Sequence, residues 1–70
     1  MIIDVRGSDG NVFFIMAVVS RLLHAAGRKD DVSRVLADMK SGDYRHALAV
    51  AERETYGSIT FTGLDGDEIP

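Results

Sequence analysis

Eight consecutive apolar residues, Val12 to Val19, constrain this chain more than any other stretch. A run of that length fits a buried strand or the opening turns of a helix, and its flanks decide between them. Before it stands Gly7-Ser8-Asp9-Gly10-Asn11, made of turn and N-cap residues, and after it Leu22, Leu23 and Ala26 continue at helical spacing up to Gly27. The run therefore opens a helix predicted from Val12 to Ala26, with Asp9 or Asn11 accepting bonds from its first N–H groups and Gly27 ending it. Val12, Ile15, Met16, Val19, Leu22, Leu23 and Ala26 form one apolar stripe, the expected core face. Phe13, Phe14, Ala17 and Val18 make the other side of the first turns apolar as well, and a helix apolar all round has to be covered all round. A wet face begins only with Ser20, Arg21 and His24.

Little of the chain is left to do that covering. At 70 residues it makes one domain, near the lower limit at which a single core offsets the entropy of ordering the backbone. Cysteine is absent, which excludes disulfides and thiolate metal sites. The remaining staples are a few oxygen or histidine ligands or a second copy of the chain. A homo-oligomer is the expectation, with Phe13, Phe14 and Val18 as its contact residues.

Around the apolar helix the order reads β-α-α-α-β. Met1 to Arg6 is a strand with Ile3 and Val5 on one face. Asp30 is the expected cap of a second helix, in which Val32, Val35, Leu36 and Met39 recur at i, i+3, i+4 and i+7 while Arg28, Lys29, Arg34, Asp38 and Lys40 fill the solvent side. Gly42 suits a left-handed stop and Asp43 an N-cap, so a third helix runs from Tyr44 to about Tyr56 and ends at Gly57. Its Ala47 and Ala51, four apart, let a neighbouring helix approach closely. Ser58 to Thr62 is the second strand, with Ile59 and Phe61 inward. The fold class is α+β: a single domain over 1–63 with two short strands and three helices, completed by oligomerisation because two strands alone make a weak sheet with open edges. Residues 64–70 form an acidic, mobile tail, whose Leu64 and Ile69 could dock on a neighbour.

Candidate chemistry is thin. The loop Arg6, Gly7, Ser8, Asp9, Gly10, Asn11 holds the parts of an anion site: glycines for close approach, free N–H groups at a helix start, and a forked guanidinium. It is neither a Walker A loop nor a dinucleotide fingerprint, and a strand-to-helix turn with capping residues is the better account of it on turn chemistry alone. His24 and His46 lie on different helices without ligand spacing, Met16 and Met39 read as core filling, and Asp65-Gly66-Asp67-Glu68 lacks the spacing of a calcium loop, so no metal or cofactor is expected. No serine or cysteine stands in a nucleophile context, and an enzyme is not expected. Helices two and three could imitate a helix-turn-helix, but 11 acidic against 8 basic residues give a charge of -3, which argues against nucleic acid. No apolar run approaches a bilayer span and no secretory leader pattern opens the chain, so a soluble cytoplasmic protein is expected.

Two resemblances bear on the residues just named. Gly42-Asp43-Tyr44-Arg45-His46-Ala47-Leu48 looks like the turn of a tetratricopeptide-type hairpin, but over one half-repeat only, which implies an antiparallel helix pair and no array. The run Ile3-Asp4-Val5-Arg6-Gly7-Ser8-Asp9-Gly10-Asn11-Val12-Phe13, followed by Ser41-Gly42-Asp43-Tyr44 and Ala47-Leu48, resembles a group of short proteins encoded by bacteriophages and prophages. Their loop usually reads Arg or Lys, Gly, Pro, Asp or Glu, Gly, Asn; here Ser8 stands where proline is common, which leaves the loop less rigid. The resemblance spans most of the chain and implies a setting of action against host defences. Such a protein would sequester a nucleotide immune signal in a symmetric oligomer, with the Arg6 to Asn11 loop on phosphates and Tyr44, Tyr56 or Phe13 stacking on bases. Alternatively it would block a host defence protein by surface contact, or serve a purely structural role in assembly.

Overall fold

A computed structural model describes residues 1–63. The expected acidic tail, with Leu64, Ile69 and the Asp65 to Glu68 carboxylates, lies outside the described residues. The architecture is α+β in the expected order: strand β1 (Ile2–Asp4), helices α1 (Val12–Ala25), α2 (Val32–Lys40) and α3 (Tyr44–Glu54), and strand β2 (Thr60–Thr62). Single 3₁₀ turns, Ser8–Gly10 and Lys29–Asp31, precede α1 and α2.

The strands pair in parallel, Ile2 with Thr60, Ile3 with Phe61 and Asp4 with Thr62. A parallel pair needs a long crossover, and the three helices are that crossover. Thr60 N–H donates to the Met1 carbonyl at 2.7 Å and Val5 N–H to the Thr62 carbonyl at 2.9 Å, which carries the ladder past both ends of β1. The Met1 ammonium donates to the Ser58 carbonyl at 2.7 Å.

Local chemistry explains most helix ends. Asn11 Oδ1 accepts from Phe13 N–H at 2.7 Å and Asp43 Oδ1 from His46 N–H at 2.9 Å, so α1 and α3 are capped as anticipated. Asp30 is not the cap of α2. The 3₁₀ turn moves the N-cap to Asp31, which makes no side-chain cap bond; its carboxylate accepts from Arg28 Nε at 3.0 Å instead. Gly27 ends α1 in the left-handed region, φ 76. Gly42 is absent from that region, against expectation: it is glycine because a Cβ there would sit 2.8 Å from the His46 ring. The third helix stops at Glu54, short of Tyr56, because Tyr56 and Gly57 both turn left-handed, at φ 54 and 79.

Ile15, Val19 and Leu23 of α1, Val35 and Met39 of α2, and Ala47, Leu48, Val50 and Ala51 of α3 close the core with Ile3 and Ile59 from the sheet region. The alanines at 47 and 51 are at most 1% exposed, as close helix packing requires. Val18 belongs to this core, not to an outer interface. It is 8% exposed, because a residue three on from Ile15 and four before Leu22 shares their flank of the helix. Ala26 drops out of the expected stripe, since it is the exposed C-cap, and Met16 is only half-buried.

Candidate functional site: an apolar groove beside the glycine loop

Phe13 remains 74% exposed and Phe14 38%. At 100° per residue Phe13 falls well away from the Ile15–Val19–Leu23 direction, and no element among the described residues covers it. It forms the rim of a groove of about 340 Å³. Val12, Phe13 and Met16 of α1 make one wall; Met39 and Lys40 at the end of α2, Gly42 and Asp43 of the turn, and Tyr44 and Ala47 of α3 make the other. Small residues keep it open: Ala47 offers one methyl and Gly42 none. The walls are mainly carbon, with Lys40 and Asp43 as charges of opposite sign lining the cleft.

Tyr44 joins this groove to the glycine loop. Its hydroxyl donates to the Gly10 carbonyl, and partial burial pushes its pKa above the ordinary tyrosine value. Gly10 is buried against β1's extension, where a Cβ would lie 2.1 Å from the Val5 carbonyl oxygen. Of the expected loop-site residues, the structure thus brings Gly10 to Tyr44, and leaves Arg6, Gly7, Ser8 and Asn11 exposed. Asp9 contributes the middle of the 3₁₀ turn.

Four of the loop's backbone N–H groups are used internally. Arg6 N–H donates to Asp4 Oδ1 at 3.0 Å, Gly7 N–H to the Asp4 carbonyl at 3.1 Å, Gly10 N–H to Gly7 at 3.0 Å and Asn11 N–H to Ser8 at 3.3 Å. Phe13 N–H is taken by the Asn11 cap. The Arg6 guanidinium sits 3.3 Å from Asp4 Oδ1 through Nε. Together the Arg6 backbone N–H and then its side chain hold the Asp4 carboxyl below its usual range. An incoming phosphate would compete with the Asp4 carboxylate for that arginine and with internal acceptors for most of those donors.

Two further clusters were hidden in the sequence. His46 Nε2 lies 2.9 Å from Asp38 Oδ1 and 3.0 Å from the Asp38 carbonyl; both are acceptors, so this nitrogen donates. Asp38 Oδ2 accepts from Arg53 at 2.7 Å, and its carboxyl is held below the ordinary value, by Arg53 first and His46 second. Glu54 is the hub of the other cluster, within 2.8 Å of Arg28, 3.4 Å of Arg34 and 3.2 Å of Arg53. Arg28 above all holds its pKa down to about 2. Arg28 Nη1 also donates to the Glu54 carbonyl at 2.6 Å, and its guanidinium stacks 5.4 Å over the exposed Tyr56 ring. Arg28 to Asp31 was legible as an i, i+3 pair. Glu54 was not, since Arg28 and Arg34 reach it from outside its own helix.

Among the described residues no three of His, Asp or Glu converge as metal ligands, and no helix is long and apolar enough to cross a membrane. No protein-family model, curated protein or solved structure matches the chain.

Proposed function

We propose that this chain is a small, non-enzymatic protein-binding module whose groove between α1 and the α2–α3 turn holds apolar side chains of a partner protein. The observation that carries this reading is Phe13, 74% exposed on the rim of a largely apolar cleft of about 340 Å³. An aromatic ridge beside a cleft is the form that an energetic anchor takes in protein interfaces. The internal use of four of the loop's N–H groups favours a protein over a phosphate ligand. In the setting that the phage resemblance implies, the partner is a host defence protein and the site of action is the bacterial cytoplasm, where the protein acts as an inhibitor by contact.

The test is capture from a host lysate on immobilised protein. Wild type should retain a stoichiometric partner that Phe13→Asp loses and Arg45→Asp, on exposed surface outside the groove, keeps. Recovery of no partner, or equal recovery by Phe13→Asp, sinks the reading.

A second reading has one observation in its favour: the Tyr44 hydroxyl on the Gly10 carbonyl joins cleft and loop into one surface. A nucleotide base stacked on Phe13 or Tyr44 would lie beside the loop, as sequestration of a nucleotide immune signal requires. Thermal shift against cyclic dinucleotides and ADP-ribose derivatives decides it. A rise in melting temperature lost in Arg6→Ala supports sequestration, and no shift with any of them rules it out.

A further inference from the structure

The groove carries its own complement. Phe13 is an apolar ridge and the adjoining cleft an apolar hollow, both on one face of the molecule and sharing residues. Turning a second copy by a half rotation places ridge over hollow twice, once in each direction. Because ridge and hollow share a face, such pairing closes after two copies instead of propagating into a fibre.

Charge points the same way. Lys40 and Asp43 both line the cleft, with opposite signs. Under two-fold symmetry each Lys40 can meet the Asp43 of the other copy, so both charges find an opposite, as flanking charges do beside the apolar seam of paired helices. Chain size adds a third argument. A 70-residue chain with a sheet of two three-residue strands stands near the lower limit of single-core stability, and gains most from covering an exposed phenylalanine.

We infer that the resting occupant of the groove is a second copy of this chain, in a closed two-fold dimer in which each Phe13 enters the other copy's cleft and Lys40 faces Asp43 across the axis. The inference rests on the reading of the groove as a protein-docking site. It adds that a foreign partner has to displace the second copy, so that partner binding and dimerisation compete for the same cleft.

Sedimentation equilibrium at high micromolar concentration should give twice the 7.6 kDa chain mass. Phe13→Asp should give the single-chain mass with an unchanged helical circular dichroism spectrum, since the ring touches little within its own chain. Lys40→Glu, which sets like charges across the axis, should weaken the dimer about tenfold, while Arg45→Glu should leave it unchanged. A wild-type monomer overturns the inference, and so does a dimer indifferent to Phe13→Asp. If a wild-type monomer still captures a partner through Phe13, self-docking fails and the protein-binding reading stands. A Phe13-dependent dimer that captures nothing gives the reverse.

Discussion

Glu54 shows how much a single carboxylate can organise in so small a chain. Three arginines from different stretches converge on it, and its side chain is only 12% exposed. Its folded pKa of about 2 lies below the ordinary 4.5. The stabilisation is therefore fully present above about pH 4.5 and is lost as pH falls toward 2, because the unfolded chain takes up the proton first. Glu54→Gln should lower stability at neutral pH by roughly 1–2 kcal/mol, with the exposed arginines discounted, and should flatten the acid limb of the stability curve. Urea titrations from pH 7 to pH 2 check this; parallel curves for the two proteins would contradict it. Glycines differ at the same scale. Gly10→Ala drives a Cβ to 2.1 Å from the Val5 carbonyl, whereas Gly27→Ala meets open space and only the strain of a left-handed φ. Gly10→Ala should cost about 2–3 kcal/mol and Gly27→Ala about 1, read as denaturation midpoints, and the reverse order would count against the packing of the loop under β1. Sequence reading found both glycines but could not separate them, since a backbone neighbour such as Val5 is a fact of the fold.

Among the elements, helix termini are where local sequence spoke most clearly. Asn11 and Asp43 each satisfy an orphan N–H two or three residues on, a relation that needs nothing beyond the chain itself. Asn11→Ala should accordingly cost about 1 kcal/mol. Asp30→Ala should be almost neutral, because α2 begins behind a 3₁₀ turn without a side-chain cap. Thermal denaturation of the two variants separates the observed start of α2 from the one expected from sequence. Helical spacing also marked Ile15, Val19 and Leu23 correctly as the inner face of α1. It misjudged Val18, because the arc a helix buries depends on how many neighbours flank it, and α2 and α3 both pack on α1. Phe13, at the greater angle from that face, is the residue the neighbours fail to reach.

For the whole molecule, the two-stranded sheet is the clasp that joins the beginning of the chain to residues 60–62. Ile3 and Ile59, at most 1% exposed, carry that closure into the core, while Ile2 points outward at 73%. Ile3→Ala should cost about 2–4 kcal/mol and Ile2→Ala under 1, measured by equilibrium unfolding. Equal costs would contradict this in-and-out alternation of the strand, and the reverse order would mean that it is inverted. Taken by itself, the sequence determined the β-α-α-α-β order, the α+β class, a cap at Asp9 or Asn11 and another at Asp43, the left-handed stop at Gly27 and the surplus of apolar surface at the start of α1. Those properties follow from periodicity and from bonds between residues a few positions apart. Tertiary structure alone decided that the strands run parallel, that Val18 is inside and Phe13 outside, that Arg28 and Arg34 meet on Glu54, and that Tyr44 ties the glycine loop to an apolar cleft. Each of these is a relation between segments far apart in the chain, and it acquires a value only once the helices have packed.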